Sequence, residues 1–478
     1  MLPLSDNTDL QALPDSALAL DRSGATPGMV QFSPIEYPPG YGDARVSQPT
    51  APRFNLNPPA QVVAAATPRM ESQGPVNRAR TAMDDLNDMQ QSRIPTITMG
   101  TVVRSREGET GLGQLTDIQT PVTLKFDTGE SKVSVNITPT SLFSGTPDNV
   151  TATRFGAGPE QSVNNPNLSP GSQSASGVGV GVAYENDKLK ADIGTTPVGF
   201  LKTDTMGGLK YRFGISDNTN LSVDVSRRPV TDSLLSFAGV KDARTGDIWG
   251  AVSSTGGRFD LSWDSGNFGL YTYGSAHSLT GSNVADNTRL EGGGGMYWKM
   301  DTGPNASFKT GVNITGLGFE KNLRYFTFGQ GGYFSPQRFF SVSVPMEWSQ
   351  RSNKFSYQLK GSLGLQTFSE DASPYFPTDP TRQANGAAAV AAGAGTVPGI
   401  TANRAYYAGQ SVTGLGYAFG GAMEYQIHPQ LYVGGSLGLD NARDYKQFTG
   451  SMYLRYFMDP YTGLPNLPPL SVKSPYAN

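Results

Sequence analysis

The chain has 478 residues, with 37 Lys and Arg against 40 Asp and Glu, two His and no Cys. That balance offers no field for nucleic acid, and the absent thiols exclude disulfides and thiolate metal sites. His277 and His428 alone do not make a multi-histidine centre. A mean hydropathy of -0.35, with no apolar run of about 20 residues, excludes membrane-spanning helices but not a membrane-spanning barrel, whose strands carry a weaker signal.

Residues 1–76 are rich in Pro, Ala, Gly and Ser, as in Tyr37-Pro38-Pro39-Gly40-Tyr41 and Asn57-Pro58-Pro59, and read as a disordered tether. Met1-Leu2-Pro3-Leu4-Ser5-Asp6-Asn7 has neither a positive n-region nor an apolar h-region, so no signal peptide is expected there. Over 77–94, the spacing of Met83, Leu86 and Met89 predicts a short helix that stops before Pro95 and caps or docks onto the strands C-terminal to it.

From 95 to 458 apolar and polar residues alternate through a long series of strands. Short polar connectors recur at 127–130, 185–187, 216–219, 264–267, 301–305, 351–353 and 428–430, each built from residues that favour hairpin turns. Between them lie other connections, mostly long, near 107–117, 143–174, 196–206, 229–247, 281–288, 319–337, 369–411 and 441–445. Seven short turns alternating with eight other connections give about sixteen strands with both ends on the short-turn side. That is the outer-membrane arrangement, and a soluble two-sheet sandwich has no reason to sort its loops this way.

The strand faces test the same reading independently. Phe340, Val342, Val344, Met346 and Trp348 oppose Ser341, Ser343, Glu347 and Ser349. Leu209, Tyr211, Phe213 and Ile215 oppose Lys210 and Arg212, and in the last strand Met452, Leu454 and Tyr456 oppose Ser451, Tyr453 and Arg455. A charge at mid-bilayer costs about 2–4 kcal/mol, so a wall facing lipid should be uncharged on one side. Trp263, Trp298, Trp348, Tyr425 and Tyr456 fall where interfacial girdles lie. The expected fold is all-β: a single transmembrane antiparallel β-barrel of about sixteen strands, wide enough for water.

Function then lies in passage. Gly177-Val178-Gly179-Val180-Gly181 and Gly292 to Gly295 do not join a strand to a helix, so nucleotide binding is rejected; they read as room for sheet curvature or cargo. Glu291, Asp260 and Glu424 would suit paired-carboxylate hydrolysis, but a charged lumen lining is the simpler account, and no nucleophile–base motif accompanies them. The 322–337 connection holds Tyr325, Phe326, Phe328, Tyr333 and Phe334 among glycines. Five aromatics at a pore mouth either pack there or stack on sugar rings. Tyr271, Tyr273 and Tyr297, with Arg258, Asp260, Glu291, Lys360 and Arg455, are the lumen candidates for the same path. The tail over 459–478 is Pro-rich and extended, directed either to a periplasmic neighbour or back into the pore.

From about Arg104 to Pro460 the chain resembles the C-terminal domain of cellulose synthase operon protein C. The resemblance rests on Arg104-Ser105-Arg106-Glu107-Gly108-Glu109-Thr110-Gly111, Gly194-Thr195-Thr196-Pro197-Val198-Gly199-Phe200, Ser226-Arg227-Arg228-Pro229-Val230-Thr231-Asp232-Ser233-Leu234-Leu235-Ser236, Asn283-Val284-Ala285-Asp286-Asn287, the aromatic loop and Gly438-Leu439-Asp440-Asn441-Ala442-Arg443-Asp444-Tyr445. It implies a sixteen-strand outer-membrane pore for a cellulose chain. The implied partners are a periplasmic tetratricopeptide-repeat scaffold and an inner-membrane cellulose synthase. The alternative reading of the residues is a small-solute porin. Family members carry a signal peptide and a repeat array before the barrel; no 34-residue helical period occurs over 1–95. A split or truncated product, or a scaffold supplied by a partner, would account for that.

Overall fold

The computed structural model describes residues 93–128, 131–300, 302–400, 404–441 and 446–476. The expected tether over 1–76, and the expected helix over 77–94 save Arg93 and Ile94, lie outside the described residues.

Sixteen strands form the wall: β1 Thr96–Arg106, β2 in two pieces (Leu115–Gln119 and Val122–Asp127), β3 Ser131–Gly145, β4 Gln173–Asn186, β5 Leu189–Thr195, β6 Thr205–Ser216, β7 Thr219–Pro229 and β8 Ile248–Asp264. They continue as β9 Phe268–Ser282, β10 Asn287–Met300, β11 Ala306–Phe319, β12 Arg338–Arg351, β13 Phe355–Glu370, β14 Gln410–His428, β15 Leu431–Asp440 and β16 Gln447–Phe457. Each pairs antiparallel with the next in sequence. β1 also pairs with β16, from Thr96 opposite Phe457 to Arg106 opposite Gln447, so the sheet closes and has no free edge. Thr120-Pro121 interrupts β2, as expected where Pro removes a ladder donor.

The alternation in the sequence becomes the two faces of this wall. Met452 (72% exposed), Leu415 (65%) and Leu363 (56%) stand on the outside, together with Leu209, Phe213, Ile215, Val225, Phe340 and Met346. Ser451, Tyr453, Arg455, Ser341, Ser343 and Glu424 are buried on the inside. An exterior this apolar is stable only against acyl chains, and the molecule is an outer-membrane barrel. No helix among the described residues is long and apolar enough to cross a membrane. A recess of about 630 Å³ opens on this outer wall between Phe259, Ala276 and Leu290, over Gly257, Gly274, Gly292 and Gly316.

The short turns and both barrel ends share one rim, periplasmic by the usual orientation of such barrels. The opposite rim carries connections with structure of their own. Residues 146–172 contain a 3-10 turn (Thr151–Arg154) and α1 (Gly158–Asn164); 230–247 contain α2 (Leu234–Ala238); 371–409 contain α3 (Pro380–Gly393). These helices were not expected from the sequence pattern. Asp379 caps α3 by accepting from the Arg382 N–H at 2.9 Å, with Pro380 at the first position.

Candidate functional site

The long loops fold inward and fill the extracellular mouth. Near that rim the inner face of the wall changes from polar to apolar: Leu115 on β2, Leu142 on β3, Met206 on β6, Trp249 on β8, Leu279 on β9, Leu317 and Phe319 on β11, Phe339 on β12 and Phe368 on β13 are all buried. They join Phe155, Leu234, Leu235, Phe237, Leu323, Tyr333 and Phe334 from the loops in one continuous cluster. A collar that touches eight of the sixteen strands leaves the loops acting as a plug.

Each part of the plug has a local reason. In α2, Ser233 and Ser236 form a reciprocal cap: the Ser236 N–H donates to Ser233 Oγ at 3.1 Å, and the Ser233 N–H to Ser236 Oγ at 2.9 Å. Gly332 has φ +66°, and a Cβ there would lie 2.8 Å from Leu235 and from Ser233, so only glycine lets the aromatic loop press on α2. Phe326-Thr327 pairs in parallel with Phe155-Gly156, which ties the 320–337 loop to the 146–172 loop. The Thr327 hydroxyl donates to the Tyr375 carbonyl at 2.5 Å, and Gln330 Nε2 to the Pro374 carbonyl at 2.7 Å, tying in the 371–409 loop.

Buried charge completes the knot. Arg244 and Asp242 are closed to solvent at 1% and 0% side-chain exposure, 2.9 Å apart. Arg244 also donates to the Ala152, Phe155 and Ser162 oxygens at 3.2, 2.7 and 3.4 Å, while Asp242 accepts the Ala157 N–H at 2.9 Å. Arg382 holds Asp247 through two hydrogen bonds of 2.7 and 3.1 Å and lies 4.4 Å over the Phe328 ring. Desolvation pushes the Asp247 carboxyl up, but the Arg382 hydrogen bond outweighs it and holds the group below the usual carboxylate range. Burial pushes the Tyr375 phenol up to about 12.

The five aromatics of the loop are therefore parts of the plug. Tyr333 and Phe334 are buried: the Tyr333 hydroxyl accepts from Asn287, and Phe334 packs edge-on against Phe339 and Phe368. Phe328 contacts Trp249 at 5.8 Å, and Tyr325 stacks on Tyr407 at 3.6 Å with a 6° tilt. Of the two uses open to them from sequence, packing accounts for their positions in this state.

Below the plug, the lumen candidates lie on inner faces of β8–β10, β13 and β16. The tyrosine rings lie flat on the wall because glycines on the adjacent strands make room. A Cβ on Gly293 would fall 2.6 Å from the Tyr273 hydroxyl, one on Gly295 2.5 Å from the Tyr271 hydroxyl, and one on Gly269 2.2 Å from the Tyr297 ring. Their hydroxyls are anchored: Tyr271 donates to Asn313 at 3.0 Å and Tyr297 to Asp264 at 2.7 Å, while Tyr273 lies 3.1 Å from the Thr315 hydroxyl. The Arg258 guanidinium covers Tyr273 at 4.0 Å, and Lys299 stands 5.4 Å over Tyr297. Tyr271, half-buried, keeps the most open ring.

The charged candidates other than Glu291 are paired. Arg258 lies 2.6 Å from Asp260, and Lys360 lies 3.6 Å from Glu347. Arg455 lies 2.5 Å from Glu424, and Glu291 is buried on the same wall as Tyr273. The glycine stripe of β4 faces the lumen at Gly177, Gly179 and Gly181, with Val178, Val180 and Val182 exposed outside. Among the described residues no group of three or more His, Cys, Asp or Glu is placed to hold a metal ion. A second feature that sequence reasoning left undecided is the tail. It turns back into the pore: Tyr461 packs on Tyr432 and Phe457 at the periplasmic rim, and Tyr476 reaches Phe237 of α2 in the plug.

A solved chain described as a bacterial polysaccharide outer membrane secretin aligns with this barrel with a TM-score of 0.46 and 10% identity, over 77% of this chain and 99% of its own. Cellulose synthase operon protein C of Pseudomonas fluorescens (strain SBW25) is 40% identical over 425 residues, 88% of this chain and 31% of that protein. The protein of the same name from Xanthomonas axonopodis pv. citri (strain 306) is 33% identical over 83% of this chain and 36% of its own length. The chain thus spans about a third of the length of these relatives. The family model described as the cellulose synthase operon protein C C-terminus matches residues 113–459, and the chain belongs to that family.

Proposed function

We propose that the barrel is the outer-membrane exit for a nascent β-1,4-glucan chain, a passive conduit rather than an enzyme. In this role it serves a cellulose-synthesising complex whose periplasmic repeat scaffold and inner-membrane synthase deliver the polymer. The observation that carries the reading is the lumen wall: Arg258, Lys360 and Arg455 are each paired with a carboxylate, and Tyr271 and Tyr297 lie flat with their hydroxyls anchored. Groups already satisfied make weak, exchangeable contacts with passing hydroxyls, which suits a polymer that must keep sliding. A sugar ring has apolar C–H faces, and Tyr271 offers a ring for them; Arg258, Asp260, Glu291, Lys360 and Arg455 offer hydrogen bonds along the way. Tyr325, Phe326, Phe328, Tyr333 and Phe334 join the path only when the plug opens, because in the closed mouth they contact protein.

The test is electrical. In planar lipid bilayers, openings of the purified barrel should be blocked by cellohexaose in a concentration-dependent way and far less by maltohexaose, whose chain curves. Tyr271→Ala should weaken the block without changing the folded fraction. A steady open current indifferent to both sugars would make the barrel a small-solute porin instead.

A further inference from the structure

We propose that the C-terminal tail is a lumenal latch, with Tyr476 as its catch, holding the extracellular plug shut from inside the barrel. This goes beyond the conduit reading and does not depend on which polymer passes.

The argument starts from composition. The nineteen residues 458–476 include Pro460, Pro465, Pro468, Pro469 and Pro475. A segment so poor in free N–H groups cannot add a strand to the wall, but its carbonyls remain acceptors. The wall meets them with side chains. Gln426 donates to the Tyr461 carbonyl at 2.7 Å, Arg351 to the Pro465 carbonyl at 3.4 Å, and Arg455 to the Leu470 carbonyl. Beyond the Tyr461 N–H, which donates to the Pro429 carbonyl at 2.9 Å, the tail is strapped by side chains rather than zipped into the sheet, and can be lifted without breaking the barrel's ladder.

Its end is built to catch. Tyr476 is 1% exposed and belongs to the same apolar cluster as the plug, its ring centroid 5.2 Å from that of Phe237 in α2. Its hydroxyl fills the notch over Gly179: a Cβ on that residue would fall 1.5 Å from the oxygen. The neighbouring lumen cavity of about 270 Å³, between Asn136, Asp192, Met206 and Arg228, is closed on one side by Pro475 and Tyr476. The chain thus runs from the periplasmic rim to the underside of the plug, so a pull or displacement at the periplasmic end is transmitted to α2. A polymer entering from the periplasm meets the tail first.

Gly179 gives the cleanest perturbation. Apart from Tyr476, the nearest atom to a Cβ there is the Thr195 carbonyl oxygen at 3.2 Å, so Gly179→Val expels the catch while suiting a strand. The experiment compares single-channel open probability in planar bilayers for the full chain, Gly179→Val, Tyr476→Ala, the double variant, and a chain lacking residues 471–478. Heat-modifiable gel mobility establishes that each barrel is folded. The latch predicts that each single change raises open probability about tenfold or more, since an aromatic ring leaves its buried site, and that the double variant adds nothing further. Folded variants that stay as closed as the parent would overturn the proposal. So would additive effects of Gly179→Val and Tyr476→Ala, which would mean that the two do not act through one contact.

Discussion

Removing the Asp242 carboxylate should open the pore without dissolving the barrel. Arg244 and Asp242 are sealed inside the plug, and the guanidinium reaches three oxygens of the 146–172 loop while Asp242 holds the Ala157 N–H. Asp242→Ala leaves a buried cation without its counter-charge, which costs about 3–5 kcal/mol. At about 1.4 kcal/mol per decade, that shifts the closed-to-open ratio by roughly two to three and a half decades. The cost falls on loop closure, because the wall is held by its own backbone ladder. Single-channel recording should show frequent openings in Asp242→Ala. It should show fewer in Asp242→Asn, which retains an acceptor for Ala157. Near-parental closure should return when Asp242→Leu is combined with Arg244→Met, since apolar replacement of a buried pair is often neutral. A folded Asp242→Ala barrel with the parental current would refute the idea that this ion pair binds the two loops.

The same geometry fixes three further outcomes. Leu363→Arg, at the middle of β13 and facing lipid, should cost about 2–4 kcal/mol of folding stability in lipid vesicles, while Ser362→Arg, one residue away but facing the lumen, should alter conductance and not stability. Phe334→Ala removes a ring set edge-on to Phe339 and Phe368 at 6.3 and 5.2 Å, a loss of about 3–5 kcal/mol, and should leave the mouth open in bilayers. Asp247 and Asp204 are both desolvated, yet hydrogen bonds from Arg382 to the first and from Ser253 and Arg227 to the second outweigh this and hold them below the usual carboxylate range. Their contribution to closure is complete above the unfolded carboxylate pKa of about 3.9 and is lost as pH falls through the lower folded values. Conductance should therefore be flat from about pH 8 to 5 and rise only below about pH 4.

Much of the wall was legible because lipid imposes a rule on every strand. Leu209 to Ile215, Phe340 to Trp348 and Met452 to Tyr456 each face outward as their alternation implies. The plug obeys no such rule. Phe339 and Phe368 sit on faces that are polar elsewhere and read as interruptions, although apolar residues on both faces near a long loop are the signal for an inward-folding mouth. The contacts that shape the loops join residues far apart in sequence, such as Arg382 with Asp247 and Asp232 with the Phe334 N–H. No local period reports them. Helix α3 did carry a signature, Asp379-Pro380 before an Ala-rich run, hidden inside a stretch that reads simply as a long connection. The aromatic loop was visible as a feature, but whether it packs or binds sugar depended on partners such as Tyr407 and Trp249. The glycines under Tyr271 and Tyr273 make sense only once β10 lies beside β9.

The most direct measurement is photo-crosslinking in a cell that is making cellulose. A benzophenone amino acid would replace Tyr271, on the lumen face, or Thr272, its lipid-facing neighbour on β9. Glucan covalently attached from position 271 and not from 272 is the predicted result. Equal labelling at both positions, or none at 271 while cellulose reaches the surface, would contradict a polymer passing through this barrel.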